Sequence, residues 1–303
     1  MPGPPTRRRL LETSGGSLTE AFGPREWTLL AAIALMWGSS FLFIDLGLAS
    51  FRPGVVTLAR IALGAASLAL VPRARTSVDA GDLPRIALLG IVWMAIPLSL
   101  FPLAQQWVDS SVAGMLNGAM PIFTVVWSVL LLRRMPRPRQ LSGFAVGFLG
   151  VVAISAPGLA DADATALGTG LILVAVVLYG LAANLAVPLQ QRYGALPVLL
   201  RAQLAALVVV TPIGLLQLEG STWAWSSALA MLPLGVLGTG LAFVLMTTLV
   251  GRVGGPRGAV AIYFAPIVAI ILGVVLLGEA VHPAALLGTV LVLVGAWLTS
   301  RRE

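Results

Sequence analysis

The sequence contains no cysteine, no lysine and a single histidine, His282. Without cysteine there are no disulfides, no thiolate metal sites and no thiol nucleophile. Without lysine there is no Schiff-base amine and no phosphate-loop lysine. His282 has no second soft ligand near it in sequence, so no metal site is expected. HExxH, GxSxG and Walker patterns are missing, as are paired carboxylates on one helix. An enzyme is therefore not expected, and nothing in the sequence calls for a cofactor. Charge is scarce too: 10% of the 303 residues are charged, against roughly 25% in a soluble domain.

What is present is apolar surface. Hydrophobic residues make up 58% of the chain, and the mean hydropathy is +0.97. A soluble chain of this composition has too few polar groups to cover its surface, which excludes a cytosolic enzyme, a disordered protein and a nucleic-acid binder. A membrane-crossing helix needs about 20 apolar residues. Ten such stretches run over about 27–48, 53–72, 84–103, 111–132, 140–156, 168–188, 196–217, 227–249, 257–277 and 283–300. None alternates with the period of a barrel strand. The expected fold is an all-α polytopic membrane protein of ten transmembrane helices.

Arginine sets the orientation. With the N-terminus inside, the inner segments hold seventeen of the nineteen basic residues, among them Arg7, Arg8, Arg9, Arg133, Arg134, Arg137 and Arg139. The outer loops hold only Arg52 and are acidic, with Asp109, Asp161, Asp163, Glu219 and Glu279. Cytoplasmic loops carry the arginine and lysine excess, so both termini are expected in the cytoplasm. The net charge of +7 then reflects membrane topology and not a nucleic-acid partner. Residues 1–26 read as a polar cytoplasmic tail. The first apolar stretch is longer than a signal-peptide core and lacks a small-residue cleavage site, so it reads as a retained span.

The chain repeats itself at an offset of 145. Pro121 pairs with Pro266, Ile122 with Ile267, Pro138 with Pro283, Gly143 with Gly288 and Gly150 with Gly295. The partners of the ninth and tenth stretches are the fourth and fifth. The unit is thus five helices, and an odd unit enters the membrane inverted the second time. Inverted repeats around a midplane site recur in secondary transporters. The expected organisation is a tail over 1–26, a first repeat over 27–156, an outer linker over 157–167, a second repeat over 168–300 and a short cytoplasmic tail over 301–303.

Arg60 is the sharpest single signal. It lies about 10 Å below the outer end of the second stretch at 1.5 Å per residue, and a guanidinium at that depth faces the bundle interior. It is a candidate anchor for a substrate carboxylate or a gate ion pair. Asp45, at similar depth on the first stretch, is a candidate partner for it or a proton-binding group. Glu279, at an outer helix end, is the second candidate for gating or ion coupling. Asn117 and Pro121 lie one turn apart, and a proline frees the carbonyl one turn earlier, here that of Asn117. Its repeat mate Pro266 frees that of Ile262, beside Tyr263. A freed carbonyl in lipid must find a partner or line a wet cavity. Trp37 and Ser40 in the first half, and Tyr179 and Asn184 in the second, are candidates for aromatic walls and hydrogen bonds. Gln203 is a lesser candidate near the counterpart of Arg60. Gly143, Gly147 and Gly150 fit close helix packing, including packing within a homodimer.

Several motifs resemble one family in order and spacing. ALMWGSSFLFIDLGL over Ala34–Leu48 resembles a Trp-Gly-Ser opening of helix 1. RPGVVTLARIALGAASLAL over Arg52–Leu70 and AGMLNGAMPIFTVVWSVLLL over Ala113–Leu132 resemble helices 2 and 4. VLGTGLAFVLMTTLV over Val236–Val250 resembles helix 8, and Ala259–Ser300 resembles helices 9 and 10 with Gly278-Glu279 between them. The family is the EamA-like ten-helix branch of the drug/metabolite transporter superfamily. The resemblance implies a secondary active transporter of small organic metabolites in the inner (plasma) membrane, working by alternating access. It implies export of amino acids or related polar metabolites. Asp45 and Glu279 are, on their own chemistry, the candidate groups for coupling export to protons. Uptake by the same fold, a non-transporting scaffold and lipid translocation are the alternatives. Two positions depart from the family pattern. Arg133-Arg134 stands where the Gly-Glu after helix 9 would recur in the first half, and Asp45 stands where a basic or neutral residue is usual.

Overall fold

The computed structural model describes residues 10–108, 110–159, 166–265, 267, 268, 271 and 283–301. Among them there is helix and no strand. The helices are α1 (Pro24–Gly38), α2 (Ser40–Leu48), α3 (Pro53–Ala69), α4 (Leu83–Gly90) and α5 (Ile96–Ala104). They continue with α6 (Ser110–Asn117), α7 (Met120–Leu132), α8 (Pro138–Leu159), α9 (Ala166–Tyr193) and α10 (Ala195–Leu216). The last are α11 (Trp225–Gly235), α12 (Ala242–Val253), α13 (Gly255–Ala259) and α14 (Pro283–Ser300). Five stretches, 24–48, 80–104, 166–193, 195–216 and 225–253, are each long and apolar enough to cross a membrane. Shorter apolar helices accompany them, including α3 and α7. Proline opens α1, α3, α8 and α14, where its missing N–H is no loss.

Apart from the ninth, much of which lies outside the described residues, the hydropathic stretches become helix, but several are interrupted. The first breaks at Ser39, between α1 and α2, and the fourth breaks between Asn117 and Met120. The third and eighth each contain a wider, π-helical turn, over Ile91–Ala95 and Val236–Leu241. These two turns start 145 residues apart, the offset of the sequence repeat. Their local causes differ. Pro97, just after the first, has no N–H to return to the carbonyl of Trp93. In the second, Thr239 Oγ1 donates 3.0 Å to the carbonyl of Leu234, five residues back, within the glycine-rich run Gly238-Thr239-Gly240.

The glycines of α8 pack against α14 within the chain. A methyl added at Gly143 would lie 2.8 Å from the Gly295 carbonyl oxygen, and one at Gly150 would lie 2.7 Å from that of Gly288. Gly288 and Gly295 are the repeat mates of Gly143 and Gly150. Each therefore packs on the other's mate, the reciprocal pattern of a two-fold relation. A methyl at Gly147 would lie 2.5 Å from the Tyr263 ring. The stripe expected to mediate close packing does so, but inside one chain, which removes it from a homodimer contact.

The bundle has two chemically distinct ends. At one, Arg85 bridges Asp82 at 3.1 Å, Arg192 reaches Asp82 at 3.1 Å, and Arg252 bridges Glu26 at 2.6 Å. The starts of α1, α4 and α13 and the ends of α9, α12 and α14 meet there. At the other, the Arg52 amide donates to Ser221 Oγ at 2.9 Å and the Thr222 amide to the Ser50 carbonyl at 2.9 Å. The arginines thus gather at one end, as the sequence predicts.

Candidate functional site

A cavity lies in the middle of the bundle, lined by residues of both halves. Arg60, Trp37, Ser40, Asn117, Trp93 and Tyr179 line it, with Phe41, Phe101, Met120, Phe243 and Ile262 among the other walls. Its free volume is about 40 Å³, room for a few waters and far below the roughly 300–1,000 Å³ of a ligand-holding pocket.

Among the described lining residues, Arg60 is the one cation. It is 3% exposed, and its Nε donates to Thr239 Oγ1 at 3.0 Å. Among the described residues no carboxylate lies within ion-pair distance of it. The single anchor leaves its terminal nitrogens able to donate further. A guanidinium in hydrocarbon costs about 3 kcal/mol or more on insertion scales, so the position is expensive for structure alone.

Thr239 gathers the polar contacts of this wall. Its hydroxyl donates to Leu234 and accepts from Arg60, and its carbonyl accepts from Gln203 Nε2 at 2.9 Å. Next to it, the Gly238 carbonyl accepts from Trp37 Nε1 at 2.9 Å. The wide turn thus supplies two backbone carbonyls, used by Trp37 and Gln203, and a side-chain hydroxyl, used by Arg60.

The other walls are aromatic. Trp37 and Trp93 meet Phe243 edge-on with centroids at 5.1 and 5.3 Å. Phe101 stacks on Tyr179 at 5.8 Å and meets Phe41 edge-on at 5.9 Å. Asn117 is 6% exposed, and its Oδ1 is buried with no hydrogen-bond partner among the described residues. The cavity therefore offers one cationic donor, one unpaired carbonyl acceptor and rings. These groups are chemically complementary to an anionic head and an apolar body, while the volume as closed here admits only a few waters.

Of the residues singled out in the sequence, the structure brings Trp37, Ser40, Arg60, Asn117 and Tyr179 to this cavity. Pro121 sits at the start of α7, beside the lining residue Met120. Three readings need correction. Asp45 does not pair with Arg60. Helix α2 buries Ser40, Ile44 and Gly47 on one face, and Asp45 lies off that face, exposed. Asn184 does not line the cavity. Its Nδ2 donates to the carbonyls of Thr124 and Gly180, both at 2.9 Å, bracing α9 against α7. Tyr263 is turned away and fully buried, with its hydroxyl donating to the Phe144 carbonyl at 2.8 Å; its neighbour Ile262 faces the cavity. Pro266 and Glu279 lie outside the described residues. Sequence reading missed Thr239, Trp93, Phe101 and Phe243. Only Thr239 carried a signal, as a hydroxyl between two glycines within a span.

A second, larger space opens at the arginine-rich end, with a volume of about 560 Å³. Arg134, Arg137, Arg257, Gln140, Ser128 and Gly255 are among its walls. Along α7, Met120 lines the central cavity, Thr124 bonds Asn184 and Ser128 lines this vestibule. At 1.5 Å per residue the two spaces stand about 12 Å apart, with the Thr124–Asn184 brace between them.

Comparison with known proteins agrees with this architecture. The model of the EamA-like transporter family matches twice, over residues 26–156 and 166–301. The chain belongs to the EamA-like transporter family. A protein of Streptantibioticus cattleyicolor named "Probable terminal-alkyne amino-acid exporter" is 29% identical over 91% of this chain and 93% of its own. An uncharacterized transporter of Archaeoglobus fulgidus is 23% identical over 92% of this chain and 100% of its own. The uncharacterized inner membrane transporter YedA of Escherichia coli K12 is 27% identical over 82% of each chain. A crystal structure 20% identical in sequence matches with a TM-score of 0.73, covering 90% of this chain and 96% of that one. The family and its relatives make this a membrane transport protein of the drug/metabolite transporter type.

Proposed function

We propose that the chain is a secondary active exporter of amino acids or related polar metabolites that bear a carboxylate and an apolar or aromatic side chain. It crosses the inner membrane ten times as two inverted five-helix halves, with the arginine-rich end in the cytoplasm. The reciprocal glycine packing of α8 and α14 and the wide turns 145 residues apart support the inverted pair. The arginine excess at one end supports the orientation.

The observation that carries the substrate reading is Arg60. It is buried, held by one neutral hydroxyl and faced by aromatic rings, with the unpaired Asn117 Oδ1 on the same cavity. A carboxylate would satisfy the guanidinium through charge-assisted hydrogen bonds. An ammonium or hydroxyl donor would satisfy Asn117, and the rings would take the apolar body. The exporter name of the Streptantibioticus cattleyicolor relative agrees with this. Closing around so small a volume suits the occluded stage of alternating access, with Glu279 as the acidic group for proton coupling, since Asp45 lies exposed off the cavity face.

The test is flux from proteoliposomes loaded with amino acids, amines and organic acids, with and without an imposed pH gradient. The expected result is loss of carboxylate-bearing solutes, accelerated by the gradient and abolished in a folded Arg60→Gln variant. Flux of amines alone, or none in a folded protein, would overturn the reading.

A further inference from the structure

The N-terminal segment is not a free tail. Residues 10–23 run across the arginine-rich end and enter the vestibule, where Ser14, Gly15 and Gly16 form one wall. Thr13 Oγ1 donates to the Asn184 carbonyl at 2.7 Å. That carbonyl lies four residues before Pro188, which has no N–H to bond it within α9. A hydroxyl of the segment thus fills a vacancy that the helix itself creates. The Thr13 contact falls on the residue whose side chain braces α9 to α7 between the vestibule and the central cavity.

The rest of the segment is pinned along its length. Ser14 and Gly15 bond Gln191, at 2.9 and 2.8 Å. The amides of Ser17 and Leu18 donate to the carbonyls of Gly251 and Arg252. Arg257 donates to the carbonyls of Leu18 and Glu20 at 2.9 and 2.6 Å, and stands over the Phe22 ring at 5.0 Å. Glu12 reaches Arg85 on α4 at 3.4 Å. The contacts span α4, α9, α12 and α13, so a rearrangement that opens this end must break part of them.

From this geometry we infer that residues 10–23 are a strap that closes the vestibule, and that solute passes between the vestibule and the cavity only when the Thr13–Asn184 contact is released. The inference rests on the transport reading only in placing the vestibule on the solute path. The strap itself is tested without any substrate.

The cysteine-free chain allows a direct measurement. Ser128→Cys places a single thiol in the vestibule, at a position 5% exposed. Its rate of reaction with a polar maleimide is measured on the protein in lipid nanodiscs, where both ends meet the reagent. Replacing residues 12–18 by glycine and serine keeps the chain length and should raise the rate tenfold or more. Thr13→Val should raise it about threefold, the size expected for one lost hydrogen bond, and Thr13→Ser should leave it unchanged. Rates within twofold across all these proteins would overturn the proposal. Thr57→Cys, 1% exposed, reports the fold. If the replacement variant labels there, Thr13→Val against Thr13→Ser decides alone. Strap-dependent labelling in a protein without flux would remove the transport reading and leave the strap.

Discussion

The two wide helical turns occupy equivalent places in the two halves and carry opposite chemistry. Ile91–Ala95 presents Trp93 and Met94, both buried and apolar. In Val236–Leu241 the matching positions are Gly238 and Thr239. The first turn fills space with a ring. The second leaves the space open, so that Trp37 reaches the Gly238 carbonyl and Arg60 reaches Thr239. Duplication kept the backbone irregularity and let the side chains diverge. A symmetric scaffold thereby holds an asymmetric site, with the cation on α3 and its anchor in the opposite half.

The largest effect should come from removing what the second turn holds. Arg60→Gln deletes the charge and keeps some length. Truncating one member of a buried charged hydrogen-bonded pair costs roughly 2–5 kcal/mol, so flux at low substrate should fall about thirtyfold or more, measured as kcat/KM in proteoliposomes. An unchanged ratio would separate Arg60 from recognition. Gly238→Ala comes next, because it makes the second turn more like the first. Its methyl would lie 2.7 Å from Ser40 Oγ, and overpacking of this kind costs about 1–3 kcal/mol. Its thermal midpoint in detergent should drop by several degrees, whereas Met94→Leu, a volume-conserving change, should stay near wild type.

Thr239→Val sharpens the comparison further. It removes a hydroxyl that both donates to Leu234 and accepts from Arg60, and should raise KM about tenfold with kcat little changed, the scale of one or two lost hydrogen bonds. Thr239→Ser should restore the wild-type KM. Equal behaviour of the valine and serine variants would make Thr239 a purely structural residue. Trp37→Phe keeps the ring contact with Phe243 and loses only the bond to Gly238, so a change of about threefold is expected.

Much of this was legible in the sequence because its signals are strong in a membrane. The helices follow from apolar length, the polarity of the two ends from arginine, and Arg60 from being a lone charge in a span. Phase within a helix was not legible. Tyr179 and Asn184 are five residues apart, about 140° around the axis at 3.6 residues per turn, so one faces the cavity and the other braces α7. Tyr263 and Ile262 differ by a single step, and only Ile262 faces the cavity while the Tyr263 hydroxyl bonds Phe144. The aromatic walls look like any apolar residue until packing selects them. The strap has no periodicity to detect. Only Leu18 and Phe22, packed at the edge of the core, distinguish it from a solvated tail.

Asp45 should give the smallest effect, and it tests how far the first half contributes charge to the site. It matched Arg60 in depth, and depth alone suggested a pair. Helical phase overrides depth here. With Ser40, Ile44 and Gly47 inward, Asp45 turns away from the cavity, and Arg60 takes a neutral anchor from the other half instead. Exposed substitutions remote from special features fall within about 0.5 kcal/mol. Asp45→Asn should therefore leave stability and KM within about twofold of wild type, and its response to a pH gradient should be unaltered. A lost pH response at unchanged KM would make Asp45 the coupling group, and would mean that the first half carries both the cation for the substrate head and the group that takes the proton. An unaltered response passes that role to Glu279, whose Glu279→Gln variant is then the one to measure.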